Sequence, residues 1–241
     1  EMIARLVGSE MCIRDRAATG ERVSYQEFEA RSNRVAHYLA DKGLGFQDHY
    51  SIFMENNNRY LESCAAGERS GLYFTCINSF LTSDELAYII NNSESQILIT
   101  SMSKLEAAQE ALAQCTAIKE VLVVGAGDAD LPEGMSDFAS TLSKYPETPL
   151  ERELLGAAML YSSGTTGRPK GIVRPLPEQS PNEPLPVIGF LSGLWRYRED
   201  MIYLSPAPLY HSAPQAAVGL TLRMGGTVVI MERFDPADYL R

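Results

Sequence analysis

Tyr161-Ser-Ser-Gly-Thr-Thr-Gly-Arg-Pro-Lys-Gly171 concentrates three glycines, four Ser/Thr side chains and two cations in eleven residues. Gly164, Gly167 and Gly171 let the backbone adopt positive φ and approach a ligand closely, so that successive N–H groups can converge on phosphate oxygens as an anion nest. Ser162, Ser163, Thr165 and Thr166 add rotatable donors, and Lys170 adds a point charge on a long stem, suited to following a phosphate that moves during reaction. Arg168 and Pro169 have no role that spacing alone dictates. The P-loop pattern G-x-x-x-x-G-K-[ST] places lysine directly after the last glycine, with a hydroxyl residue next. Here Lys170 lies three residues past Gly167, and Gly171 stands where that hydroxyl would be. Short Ser/Thr/Gly clusters are often plain turns. This one follows Ala157-Ala-Met-Leu160, which reads as a buried strand running into the loop, and favours phosphate binding, with ATP chemistry as its use.

Other chemistry-bearing residues are sparse. His211 closes Tyr203-Leu-Ser-Pro-Ala-Pro-Leu-Tyr-His211, and a lone histidine at the end of an apolar segment is more often a structural hydrogen-bonding group than a functional one. His37, His49 and Trp195 sit in ordinary helix or loop contexts and read as packing or surface groups. Cys12, Cys64, Cys76 and Cys115 form no C-x-x-C pair and have no neighbouring histidines, which argues against a zinc site and for reduced, partly buried thiols; no metal-ligating residues are assigned. At 241 residues and 45% hydrophobic content the chain can bury a sizeable core. Its formal net charge of -10 and pI near 4.9 argue against a nucleic-acid partner. No run reaches the eighteen or more apolar residues of a transmembrane helix, and no signal-peptide pattern opens the sequence. A cytoplasmic protein is expected.

The elements that must position the loop alternate between helix and strand. Ser24 and Glu27 form a capping box opening a helix with apolar Phe28, Val35 and Leu39, which Gly43 can close in a left-handed cap. Strands are expected at Tyr50 to Met54, Leu72 to Ile77, Gln96 to Thr100 and Val121 to Val124. Helices are expected over Arg59 to Ser70, from the capping box Thr82/Glu85 to about Asn91, and from Lys104 to Gln114. Strands separated by such helices imply parallel pairing. Residues 126–152, rich in Gly, Asp, Pro and Ser, read as a connection between a first α/β unit at 17–125 and a second at 153–241 carrying the loop. After a segment with five prolines from Pro175 to Pro186, a helix near Val187 to Tyr197, a strand at Met201 to Leu204, a helix near Ala213 to Met224 and a strand at Thr227 to Met231 are expected. Residues 1–16, which include Val7-Gly-Ser-Glu-Met-Cys-Ile-Arg-Asp-Arg16, read as a non-native tail and are set aside from the fold.

The loop resembles the signature loop of the adenylate-forming superfamily, which includes acyl-CoA synthetases, firefly luciferase and the adenylation domains of peptide synthetases. Val23-Ser-Tyr-Gln-Glu-Phe-Glu-Ala-Arg-Ser-Asn-Arg-Val-Ala-His-Tyr-Leu39, Leu81-Thr-Ser-Asp-Glu-Leu-Ala-Tyr-Ile-Ile90 and Tyr203 to His211 look like further segments of that family, in its order, over about residues 21 to 241. Pro208-Leu-Tyr-His211, with the way Arg174-Pro-Leu-Pro177 trails the loop, looks most like bacterial fatty acyl-CoA synthetases. The resemblance implies the parallel-sheet α/β units of that family's large N-terminal domain, incomplete here. It implies a two-step ligation in which ATP and a carboxylic acid give an acyl adenylate and pyrophosphate, and the CoA thiol then displaces AMP. It assigns ATP phosphate binding to Ser162, Ser163, Gly164, Thr165, Thr166, Gly167, Arg168, Lys170 and Gly171, and pyrophosphate handling to Lys170. Tyr210 and His211 are expected to line the carboxylate pocket. ATP, Mg2+ and CoA are the implied ligands, the last two contacted mostly by residues outside this sequence. The adenine and magnesium segment, the ribose-binding aspartate, the hinge, the C-terminal lid domain and its adenylation lysine find no match, so the sequence reads as an N-terminal fragment, inactive alone. Alternatives are a fragment of an aryl- or amino-acid-activating relative, or an inactive phosphate-binding remnant.

Overall fold

A computed structural model describes residues 12–15, 20–162 and 168–240. The larger sheet is built by β3 (His49–Phe53), β4 (Tyr73–Cys76), β5 (Ile97–Ser101), β6 (Glu120–Val124), β7 (Met135–Asp137), β8 (Ala157–Ser162) and β9 (Lys170–Ile172), in the order β7-β6-β5-β3-β4-β8-β9. All its pairs are parallel except the β8–β9 hairpin. A smaller sheet has the order β10-β11-β1-β2, from β1 (Cys12–Asp15), β2 (Arg22–Ser24), β10 (Ile202–Ser205) and β11 (Thr227–Ile230). The fold is thus α/β with mainly parallel sheet, as the alternation of apolar runs and capped helices predicts.

Two of those predictions need correction. Cys12–Asp15, set aside with residues 1–16, form β1, parallel to β11 and antiparallel to β2. The division at 126–152 does not separate the sheets, because β8 pairs with β4 at its Tyr73↔Ala157 register and joins the larger sheet. Within 126–152 the chain forms β7 and a short helix α5 (Phe138–Leu142), capped by Asp137 accepting from the Ser140 amide at 2.7 Å. Elements this short carry too few apolar residues to stand out from turn chemistry.

Helices cover the larger sheet on both faces. Alternation along β3, β5 and β6 sends Ile52, Ile97, Ile99 and Leu122 into one core with α1 (Tyr25–Asp41) and α2 (Asn58–Ser70). Phe53, Leu98, Val121 and Val123 point into the other, against α3 (Ser83–Asn92) and α4 (Leu105–Leu112). The first core also takes Val228 and Ile230 of β11 and Val218 of α7 (Ser212–Arg223), so α1 and α2 lie between the two sheets. Both predicted capping boxes form, at Ser24/Glu27 and Thr82/Glu85, and Gly43 takes φ +85° just past α1. Arg69 on α2 grips Glu29 on α1 through two bonds of 2.8 and 2.7 Å, and Tyr25 donates to the Gly226 carbonyl at 2.6 Å, tying α1 to the turn before β11. α6 (Pro186–Trp195) leaves Phe190 and Leu194 exposed.

Between α1 and α2 lies a charged cluster that the sequence pattern does not reveal. Glu62, with 1% side-chain exposure, pairs with Arg59 and, at 3.5 Å, with Arg31; Glu21 also contacts both arginines. Glu62 Oε2 has no hydrogen-bond partner among the described residues. Burial outweighs the two guanidinium groups and pushes the Glu62 carboxyl up from 4.5 to about 7. The folded chain therefore binds this proton more tightly than the unfolded chain does, and stability from this group falls as pH rises from about 4.5 to about 7. Glu62→Gln removes that component. The stability difference between wild type and variant, read from urea denaturation at a series of pH values, should change by up to about 3 kcal/mol across that window, and a flat difference would contradict the assignment.

Candidate active site

The hairpin β8–β9 carries the predicted phosphate loop. Ser163, Gly164, Thr165, Thr166 and Gly167 lie outside the described residues; Ser162, Arg168, Lys170 and Gly171 flank them. In the antiparallel register Ser162 faces Lys170 and Tyr161 faces Gly171, so the two arms meet at the loop's neck. The short strand β9 was not anticipated, since a three-residue strand containing glycine has no readable alternation. Gly171 packs so closely that a Cβ there would overlap Met159 Cε and crowd the Tyr161 ring. Gly171 does not take a positive φ, and the atom that a Cβ would overlap is the flexible end of Met159. Lys170 is exposed and makes no ion pair among the described residues. Arg168 is exposed as well, with its guanidinium 5.2 Å from the centroid of the Tyr88 ring. Tyr161 is half-buried, and burial raises its phenol so that it remains a neutral donor, here to Asn92 Oδ1 at 2.8 Å.

Tyr210 and His211 sit where β10 gives way to α7. Their rings are 4.5 Å apart at 53°. His211 is the N-cap residue of α7, yet its side chain makes no capping bond, which leaves the exposed imidazole available to a ligand. Tyr210 is half-buried, and burial raises its phenol pKa. The connection that delivers both residues is held by Asn56. Its Oδ1 accepts from the Leu209 amide at 2.8 Å, while Nδ2 donates to the carbonyls of Ala207 and Met231, each at 3.0 Å. Asn56 lies just past the C-terminal end of β3, and Ala207 and Met231 follow the C-terminal ends of β10 and β11. β8 runs parallel to β4 and β4 to β3, so the loop after β8 and the Tyr210–His211 turn leave the same edge of the molecule. Ligands in open parallel sheets bind at that edge.

Sequence reasoning missed Asn56, Tyr88 and Asn92. The available signal for Asn56 was the triplet Asn56-Asn57-Asn58 at a strand-to-helix junction, where Asn57 caps α2 by accepting from the Tyr60 amide at 3.0 Å, leaving Asn56 for another task. His37 bonds the Thr148 carbonyl at 2.9 Å, and His49 stacks on Tyr73 at 4.8 Å; neither lies with the site residues. Cys64 and Cys76 are buried free thiols 3.8 Å apart, with Gln215 of α7 donating to Cys76 at 2.9 Å. A cavity of about 460 Å³ opens between α1, α2 and α7, walled by Phe28, Leu61, Val218 and Leu222. None of the predicted site residues lines it. Among the described residues no group of three His, Cys, Asp or Glu side chains could hold a metal, and no helix is long and apolar enough to cross a membrane.

Comparison with known proteins shows the family. The family described as AMP-binding enzyme matches residues 5–241. The medium/long-chain-fatty-acid–CoA/3-oxocholest-4-en-26-oate–CoA ligase of Mycolicibacterium smegmatis is 28% identical over 233 residues, covering 91% of this chain and 42% of the relative. 4-Coumarate–CoA ligase 1 of Petroselinum crispum is 27% identical over 239 residues, covering 97% and 42%. The crystal structure of ATP-bound MatB from Rhodopseudomonas palustris superposes with a TM-score of 0.74 at 27% identity, covering 99% of this chain and 46% of that one. The chain belongs to the AMP-binding enzyme family, in accord with its resemblance to the adenylate-forming superfamily, and it spans 42% of the length of these two curated relatives.

The three Asn56 bonds supply a stability test. Asn56→Leu strands one buried carbonyl, one part-buried carbonyl and one buried N–H, at roughly 1–3 kcal/mol per unsatisfied buried group before relaxation. A loss of about 3 kcal/mol in urea denaturation is expected, with faster hydrogen exchange at the Leu209 amide. A loss below about 0.5 kcal/mol would show that the joint between the sheets does not depend on Asn56.

Proposed function

We propose that this chain is the phosphate-gripping and acid-placing part of an AMP-forming acid–CoA ligase, activating a fatty acid through an acyl adenylate to the CoA thioester. The observation that carries the reading is that an exposed lysine, without an ion-pair partner among the described residues, stands on the hairpin after one sheet's β8, and an exposed histidine beside a tyrosine stands on the turn after the other sheet's β10, both past the C-terminal ends of those strands. A lone anion loop could serve any nucleotide; an acid-placing pair on the neighbouring turn narrows the reaction to one joining a carboxylate to a phosphate. Relatives named as fatty-acid and cholestenoate CoA ligases support fatty acids. Relatives named 4-coumarate–CoA ligases match at nearly the same identity, and on that ground an aryl acid is the second reading.

The residues present fit ATP as a substrate. Ser162 through Gly167 are assigned the phosphates, with Arg168 and Lys170 adding charge at the neck. Lys170 is free to follow pyrophosphate as it leaves, so its charge acts most strongly in the transition state. Tyr210 and His211 hold the carboxylate for in-line attack on the α-phosphorus: the carboxylate oxygen forms the new P–O bond while the bond to pyrophosphate breaks. The thiol sulfur of CoA then attacks the acyl carbon and AMP leaves. Mg2+, when bound, screens phosphate charge; its ligands and those of CoA are assigned outside the residues discussed here. The unbridged pair Cys64/Cys76 suits a reducing compartment, which supports a cytoplasmic setting.

Pyrophosphate release by the full-length ligase, measured with ATP and CoA across fatty, aryl and amino acids, tests the substrate class. ADP formation, or a response to amino acids alone, would overturn the proposal. Lys170→Ala should slow adenylation by on the order of 10- to 1,000-fold, as for loss of one preorganised charge, and should largely spare thioester formation from a supplied acyl adenylate. Equal losses in both half-reactions would make the loop scaffolding rather than a phosphate-handling device.

A further inference from the structure

One helix ties both arms of the phosphate hairpin from behind. On α3, the Tyr88 hydroxyl donates to the Pro169 carbonyl at 3.0 Å, and the face of its ring lies against the Arg168 guanidinium at 5.2 Å. One turn further on, Asn92 accepts from the Tyr161 hydroxyl at 2.8 Å. Tyr88 and Asn92 are four residues apart and so share a helix face. That face grips the arm entering the loop at Tyr161 and the arm leaving it at Arg168 and Pro169. The opposite face is fixed: Leu86, Ala87, Ile89 and Ile90 are buried in the core beneath the sheet, and the Thr82/Glu85 capping box sets where the helix begins.

We propose that Tyr88 is a positioning residue for polyphosphate binding, acting through Arg168 and Lys170; this rests on the phosphate reading of the loop. The Pro169 carbonyl belongs to the peptide unit that starts Lys170. Proline already fixes φ on one side. A hydrogen bond to its carbonyl fixes the following peptide plane, and with it the direction in which Lys170 leaves the backbone. The ring holds Arg168 by cation–π attraction, a neutral contact that keeps the guanidinium's charge available to an anion where a carboxylate partner would cancel it. An acidic chain that must hold a polyphosphate gains from exactly such uncharged anchors for its loop cations.

Two variants separate the contacts. Tyr88→Phe keeps the ring beside Arg168 and removes the hydrogen bond; Tyr88→Ala removes both. Hydrogen exchange in the peptide covering residues 168–172 should rise about 5-fold in Tyr88→Phe, the equivalent of about 1 kcal/mol for one hydrogen bond, with the melting temperature little changed, and further in Tyr88→Ala, which also loses packing against the core. Binding of inorganic tripolyphosphate, measured by calorimetry at low salt, should weaken by about 10-fold in Tyr88→Ala and less in Tyr88→Phe. Unchanged exchange in Tyr88→Ala, or raised exchange with unchanged tripolyphosphate affinity, overturns the proposal. Failure of the wild-type chain to bind tripolyphosphate overturns the phosphate reading itself, and the exchange data then still report whether the clamp exists.

Discussion

Among the polar contacts that join the two sheets, the one at Asn56 reaches the turn carrying Tyr210 and His211 most directly. Asn56 stands beyond the end of β3 in the larger sheet, and its side-chain amide satisfies one amide and two carbonyls of the connections that follow β10 and β11 in the smaller one. Apolar packing of α1 and α2 between the sheets supplies most of the cohesion, but such packing is nondirectional and tolerates sliding. A side chain that must meet three backbone groups at 2.8 to 3.0 Å does not. Its donors and acceptor therefore set how the Tyr210–His211 turn stands relative to the strand ends of the larger sheet, among which β8 delivers the phosphate loop.

Strand direction does the remaining alignment. Because β3, β4, β5, β6 and β8 run parallel, their C-terminal connections gather on one edge, and helix packing on both faces leaves that edge as the open one. Asn57 caps α2 at this edge, Asn56 staples the second sheet to it, and Ser162 leads into the loop. Two successive polar residues beyond β3 thus have separate physical tasks, Asn57 closing a helix and Asn56 joining two sheets.

Much of this was legible in the sequence where a local rule has a large signal. The capping boxes at Ser24/Glu27 and Thr82/Glu85 form as spelled, and the apolar runs around Ile52, Ile99 and Leu122 became buried parallel strands with ends shifted by a residue or so. The rest depends on partners far apart in the chain. β9 has three residues and one glycine, and exists because β8 offers it an edge. β1 was set aside with residues 1–16 as a non-native tail outside the family pattern, yet strand pairing reads backbone groups and accepts Cys12–Asp15 beside β11. The boundary placed at 126–152 failed because turn-rich composition marks a loop without saying which sheet the next strand will join. Asn56 and Tyr88 could not be singled out, since their contacts lie 151 to 175 and 81 residues away.

The proposed phosphate reading asks an acidic chain to hold an anion with local groups. At physiological salt a surface charge is screened within about 8 Å, so the net charge of -10 matters less to a bound phosphate than the groups immediately around it. The arginines between α1 and α2 are spent on carboxylates: Arg31 and Arg59 on Glu21 and Glu62, Arg69 on Glu29. At the hairpin the pattern reverses. Lys170 makes no ion pair among the described residues, and Arg168 is held by an aromatic face. The neighbouring anchors, Tyr161 with Asn92 and Tyr88 with the Pro169 carbonyl, are neutral. Holding a loop with uncharged contacts lets its backbone be fixed while its positive charge stays uncompensated, and that combination separates a cation that recognises a ligand from one that merely closes a structural ion pair.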